Sequence, residues 1–328
     1  MLQGRPAPAV DVHYTKGRSA RDIPFDSAGG KITFKTLVNG SGPYSFILDT
    51  GIQTTALDLS VAKSLGLRVD RTFQIGGAGA GTVTAAKGAA YEVSLPGLHY
   101  TAKGGWMADL NKVMRSPEGH AVDGLIGGEM FVSAVVQVDY QHKMLSFFDP
   151  ATYHHEGKGA VVPIEVKFKS MYVKASFELA GQKLNGTFLI DTGDRLAITL
   201  NTPFVRAHHL MTPDTPKMVV GSGLGGMVEH GVARLTSLSL NGVQVGSPFV
   251  TLSMDQKGAF ASDDIDGLIG ADVLKNFKVT IDYPDQRLYL DPAGKPSYSF
   301  DASGMFLEST GKDLRTVFVA SSSLSMPA

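Results

Sequence analysis

The six residues Phe46-Ile47-Leu48-Asp49-Thr50-Gly51 return as Phe188-Leu189-Ile190-Asp191-Thr192-Gly193, 142 positions later. Three further landmarks keep nearly the same offset. Asp123-Gly124-Leu125-Ile126-Gly127 returns as Asp266-Gly267-Leu268-Ile269-Gly270, Val138-Asp139-Tyr140 as Ile281-Asp282-Tyr283, and Asp149-Pro150 as Asp291-Pro292. A register held this closely reads as a tandem duplication, and the period is too long for a solenoid repeat. Each copy is therefore expected to be a lobe of its own, which suits a chain of 328 residues. The division expected is an extended leader over 1–21, one lobe over 22–150, a second over 160–296 and a tail over 297–328.

Each copy reads mainly as short strands. Lys31 to Lys35 and Val166 to Lys169 alternate apolar and polar residues with period two. Asn39-Gly40, Asn185-Gly186 and Asn241-Gly242 each stand between apolar runs and predict hairpin turns. Short helices punctuate the strands. Asp58 is placed to cap a helix from Leu59 to Leu65 that stops at Gly66, and Asn201 to cap one with Pro203 in its first turn. A third short helix is expected after Gly270, leading into a strand from Phe277 to Tyr283.

An aspartate at the end of a buried apolar strand, followed by two small residues, lets the chain turn sharply and another backbone approach closely. One Asp-Thr-Gly arises by chance in roughly one such chain in ten, and its bland role is to cap a turn. Two copies in matching register are far rarer. If the lobes meet about a pseudo-twofold axis, Asp49 and Asp191 face each other, and two such carboxyls share one proton. The ionised member can then activate a water while the protonated one polarises a carbonyl. That is acid–base hydrolysis without a metal, a cofactor or a covalent intermediate.

Composition excludes several other routes. With Lys+Arg 30 and Asp+Glu 31 the net charge is −1, unlike a general nucleic-acid binder. There are no cysteines, so disulfides, thiolate metal sites and Cys nucleophiles are absent. No stretch reads as a membrane span. Thirty-eight glycines exceed the usual ~7% and call for many turns.

The two Asp-Thr-Gly turns, each followed by an apolar-apolar-Gly triplet, resemble the aspartic proteases of the pepsin/retropepsin type, most of all the bacterial retropepsin-like ones. The resemblance covers about residues 22 to 296. It implies a mainly β, bilobal pepsin-like (double retropepsin-like) acid protease fold with short helices. It implies Asp49 and Asp191 as the catalytic dyad, with Thr50 and Thr192 locking the turns together and Gly51 and Gly193 supplying the close approach. Leu125-Ile126-Gly127 and Leu268-Ile269-Gly270 match the family's psi loops. Its glycine-rich flaps correspond to Gly76-Gly77-Ala78-Gly79-Ala80-Gly81 and Gly221-Ser222-Gly223-Leu224-Gly225-Gly226, so that Gly76, Gly77, Gly79, Gly221, Gly223 and Gly225 would lie over the substrate. The bland alternative is a pair of long glycine turns.

Two departures stand out. Ile52 follows the first Asp-Thr-Gly where pepsin-like enzymes often place Ser, Thr or Ala. After the second comes Asp194-Arg195, a third carboxylate that either raises the pKa of the dyad or pairs with Arg195 without affecting it. The partner expected is a peptide or protein substrate, and a monomer suffices because both aspartates lie in one chain. The rival reading is a catalytically weak or inactive peptide-binding module. The resemblance implies export, but the N-terminus shows no apolar signal segment, so the compartment stays open. The tail, with Gly304-Met305-Phe306-Leu307-Glu308 and Val317-Phe318-Val319, resembles the opening of a PDZ domain cut short. A plain strand pair reads nearly as well.

Other signals carry less. Gly221 to Gly226 matches a dinucleotide fingerprint, but no helix pattern follows. His154-His155 and His208-His209 read as exposed histidines rather than metal ligands. Trp106, the single tryptophan, either lines a subsite or packs at an edge.

Overall fold

The structure, a computed structural model, describes residues 7–27, 30–77, 81–112, 114, 121–223, 226–298, 305–309 and 314–319. The chain is mainly β and two-lobed. Among the described residues the strands form one large sheet in each half, a six-stranded sheet shared between the halves, and a separate hairpin.

In each half a long apolar strand runs into the Asp-Thr-Gly turn. Ser41–Leu48 ends in Phe46, Ile47 and Leu48, all buried, and Gln182–Ile190 ends with Phe188 and Ile190 wholly buried. Both end in continuous apolar runs because the sheet is covered on both faces there. The apolar-apolar-Gly strands lie parallel alongside. Gly124–Ile126 pairs with Phe46 to Leu48, and Gly267–Ile269 pairs with Phe188 to Ile190, in the same register. Asp123 and Asp266 fasten these pairs, accepting hydrogen bonds from the Ser45 N–H at 2.8 Å and the Thr187 N–H at 2.7 Å.

The shared sheet joins the halves. Val135–Asp139 pairs antiparallel with Phe277–Asp282, and each has its own hairpin partner outside, Met144–Phe148 and Arg287–Pro292. Of the leader expected over 1–21, residues 7–21 are described, and they join both sheets. Val12–Tyr14 adds to the edge of the first large sheet, and Ser19–Pro24 adds to the shared sheet beside Met144–Phe148. Val10 is buried, and its N–H and that of Ala9 both bond the Ser133 hydroxyl at 2.9 Å.

Local signals hold where the turn chemistry is complete. Asn39 and Gly40 take φ of 49° and 75°, and Asn241 and Gly242 take 45° and 91°, as two-residue hairpins require. Asn185-Gly186 instead lies inside the strand Gln182–Ile190, and the turn falls five residues earlier at Ala180-Gly181. Gly186 serves packing: a Cβ there would sit 2.8 Å from the Phe188 ring and 3.0 Å from the Asp266 Cβ. The alternation read over Val166 to Lys169 also breaks, because Phe168 and Lys169 form a positive-φ turn that leaves Phe168 81% exposed.

The helix after Asp58 spans Leu59–Ser64, with the Asp58 carboxylate accepting from the Ser60 N–H. Asn201 sits at the N-cap position of Thr202–Ala207, but its amide donates to the Ser262 and Ile265 carbonyls instead of capping. Gly128–Ser133 is the counterpart of Ala271–Leu274, and the repeat could have revealed it. His155 and His208 are not exposed: each is half-buried, against Tyr289 and Phe204 respectively. Trp106 stands on a strand paired on both sides within the first large sheet, with the Phe73 ring perpendicular to its own and Lys87 over its ring. In the tail, Met305–Ser309 pairs antiparallel with Leu314–Val319.

Candidate active site

The two turns emerge from their strands and meet at the seam between the halves. The Asp49 N–H bonds the Ile126 carbonyl at 3.0 Å and the Asp191 N–H bonds the Ile269 carbonyl at 2.9 Å, so each aspartate is held by its neighbouring parallel strand. Each carboxylate also accepts from the glycine of its own turn. Asp49 Oδ1 takes the Gly51 N–H and Asp191 Oδ1 takes the Gly193 N–H, both at 2.8 Å.

Across the seam the threonines exchange hydrogen bonds. Thr50 Oγ1 donates to the Ile190 carbonyl at 2.7 Å, and Thr192 Oγ1 donates to the Leu48 carbonyl at 2.9 Å. The glycines lie against the opposite aspartates. A Cβ on Gly51 would stand 2.6 Å from Asp191 Oδ2, and one on Gly193 would stand 2.5 Å from Asp49 Cγ. Only glycine allows that approach without displacing the carboxyl. The two carboxyls thus face each other across the seam, each against the other turn's glycine, and each acts on the other's ionisation.

Burial sets the electrostatics. It pushes Asp49 above the usual carboxylate range, opposed first by the charge of Lys31. It pushes Asp191 to about 7, reinforced by the negative charge of Asp49. Asp194 is raised to about 6, by burial and then by Asp191, while its Oδ1 accepts the Leu196 N–H at 3.0 Å. The charge of Arg195 acts on Asp194 in the opposite sense, so the third carboxylate interacts with both Asp191 and Arg195. Ile52 and Asp194 occupy corresponding places: their carbonyls accept from Gly128 and Ala271, at the starts of the two short helices.

The glycine-rich stretches fall at hairpin ends. Val69–Gly76 pairs with Thr82–Gly88 in the first half, and Lys217–Gly223 with Gly226–Arg234 in the second. Gly76, Gly77, Gly221 and Gly223 lie at these ends, whereas Gly79 and Gly225 lie outside the described residues. The first hairpin reaches the other half, where the Ala259 N–H bonds the Gly77 carbonyl at 3.0 Å. Among the described residues no group of three or more His, Cys, Asp or Glu is arranged to hold a metal ion. No helix among them is long and apolar enough to cross a membrane.

An aspartyl protease family model matches residues 34–130. The match takes in Asp49, Thr50, Gly51 and Leu125-Ile126-Gly127, that is, the first half of the site. No curated protein sequence matches the chain. Among solved structures, basic 7S globulin from soybean is similar over 86% of this chain and 94% of its own, at 9% identity and a TM-score of 0.45.

Sequence reasoning missed Lys31 as a neighbour of the pair, and it missed Ala259. Neither carries a local signal, because each reaches the site through sheet register or through contact between the halves.

Proposed function

We propose that the chain is an aspartic endopeptidase that hydrolyses peptide bonds with Asp49 and Asp191 as its dyad. The observation that carries this reading is that the two carboxyls face each other across the seam, each on an equivalent turn and against the opposite glycine. The aspartyl protease match over residues 34–130 supports it.

Two buried carboxyls at this separation retain one proton between them. Lys31 favours the charged form of both carboxyls and is the first opposition to burial at Asp49, so we assign the ionised role to Asp49 and the proton to Asp191. Asp49 then takes a proton from a water held between them, and the oxygen attacks the peptide carbonyl carbon. Asp191 donates its hydrogen bond to the carbonyl oxygen as negative charge develops there. Collapse of the tetrahedral intermediate passes a proton to the leaving nitrogen and restores the pair. The hairpin ends at Gly76-Gly77 and Gly221 to Gly223 are read as flaps over an extended substrate, which would add strand-like hydrogen bonds to them. One chain supplies both aspartates, so a monomer would be active.

We also read the matched halves as a tandem duplication, with lobes over 22–150 and 160–296; the equivalent strand registers support this. The tail over 297–328 is read as the opening of a PDZ domain. A reading frame that ended at Ala328 would count against it.

The third carboxylate, Asp194, favours a second reading: a module that binds peptides without cutting them. Cleavage of a peptide library across roughly pH 3 to 8, with and without pepstatin, decides between the two. Hydrolysis that disappears in both Asp49→Asn and Asp191→Asn supports the dyad. Hydrolysis that survives either substitution removes it, and binding without cleavage at every pH favours the second reading.

A further inference from the structure

Lys31 is a cation beside the dyad that the hydrolytic steps above do not use. The antiparallel pairing of Thr33 with Ile47 continues through a hydrogen bond from the Leu48 N–H to the Ile32 carbonyl at 3.0 Å. Lys31, a bend residue just before the strand, flanks this hydrogen bond at the same end as Asp49. The residue before it fixes the other side. A Cβ on Gly30 would stand 2.9 Å from the Arg195 Cβ, so this stretch of the first half abuts the Asp194-Arg195 stretch of the second. Lys31 is half-buried at the seam; burial lowers its own pKa, and the charges of Asp49, Asp194 and Asp191 oppose that and favour the ammonium.

We propose that Lys31 is a positioning residue for the dyad: its ammonium is the counter-ion shared by Asp49, Asp191 and Asp194, and it keeps Asp49 ionised as the base. This rests on the hydrolytic reading of the pair. Three buried carboxyls without a cation would favour their neutral forms, leaving no base at mildly acidic pH. The other ionisable groups facing the cluster are Arg195, beside Asp194, and Tyr283, which follows the shared-sheet strand Phe277–Asp282 and is wholly buried near both dyad carboxyls. Arg195 acts on Asp194, whereas Lys31 is the cation that acts on Asp49 and Asp191.

The test compares wild type, Lys31→Met and Lys31→Arg by the pH dependence of kcat/KM and by carbon-13 NMR titration of labelled aspartate carboxyls. Loss of the positive charge makes every neighbouring carboxylate harder to ionise. In Lys31→Met both limbs of the rate profile should move to higher pH by about one unit or more, and the carboxyl titrations should move with them. Lys31→Arg should restore the wild-type profile. A uniform fall in rate with unmoved limbs, or carboxyl titrations that stay in place, overturns the proposal. If the wild type cleaves no peptide, the hydrolytic reading fails by itself and the carboxyl titration still tests the counter-ion. Lys31→Gln carries the same expectation if Lys31→Met does not fold.

Discussion

Thr50 and Thr192 hold each other's turns: each side-chain oxygen donates to a carbonyl of the opposite half and accepts the backbone N–H of the other threonine, at 3.0 and 3.1 Å. Both residues are buried, at 0% and 1% exposure, so no water can replace a lost partner. Thr50→Val would leave the Ile190 carbonyl and the Thr192 N–H unpaired. The expected cost is about 2–4 kcal/mol in urea unfolding, with Thr50→Ser close to wild type. A Thr50→Val protein as stable as wild type would mean that the exchange does not hold the seam.

The glycines set the position of the carboxyls. Gly51→Ala drives a methyl group to within 2.6 Å of Asp191 Oδ2, and Asp191 must move away from Asp49. Peptide hydrolysis should fall by about 100-fold or more, because a displacement on the order of 1 Å at a reacting group costs that much. Circular dichroism should remain that of the wild type. Unchanged kcat in folded Gly51→Ala would show that the spacing is not critical.

The dyad stabilises the fold least at neutral pH. Asp191 titrates near 7 in the folded chain, above its ordinary value of 3.8. Between those values the folded chain holds a proton that the unfolded chain has released, so stability falls as pH rises. Asp191→Asn removes this penalty. Its stability relative to wild type should grow as the pH is raised from about 4 to above 7, reaching on the order of 4 kcal/mol. Parallel stability curves for the two proteins across that range would contradict the raised pKa.

His230 gives the opposite slope. It is wholly buried under the edge of Phe260, and burial lowers its pKa despite Asp255 Oδ1 lying 3.5 Å from Nε2. The unfolded chain takes up a proton near pH 6.5 that the folded chain refuses, so acidification below about 6.5 destabilises the fold through this residue. His230→Gln should flatten that part of the curve, as followed by thermal melting in a pH series.

A backbone hydrogen bond from Ala259 to Gly77 ties the first hairpin to the second half. Ala259 opens a single helical turn, Ala259–Ala261, where proline is tolerated. Ala259→Pro therefore removes the N–H that holds the Gly77 carbonyl and little else. Hydrogen exchange across Val69–Gly76 and Thr82–Gly88 should quicken, while the shared sheet keeps its protection. Equal exchange in both proteins would mean that other contacts hold the hairpin.

Several features were legible because they are local. The Asp58 cap, the Asn39-Gly40 and Asn241-Gly242 turns and the short helix after Gly270 each follow from a few adjacent residues. Asn185-Gly186 carried the same turn signal and lies within a strand, since Gly186 answers to Phe188 and Asp266 rather than to its own φ. Asn201 offered the same capping signal, but its amide binds carbonyls at 262 and 265.

The sequence by itself determined the repeated landmarks, the apolar strands that end at Asp49 and Asp191, and the small residues that let two turns approach. These are patterns of neighbouring side chains, and local sterics and burial decide them. Only the tertiary structure decided what surrounds the pair. Thr50 reaches Thr192 across 142 residues, Lys31 comes beside Asp49 at the Ile32–Leu48 hydrogen bond, and Ala259 finds Gly77 where the halves touch. Such contacts depend on how the two halves are set against each other, and that arrangement arises from packing around the shared sheet rather than from any single stretch of chain.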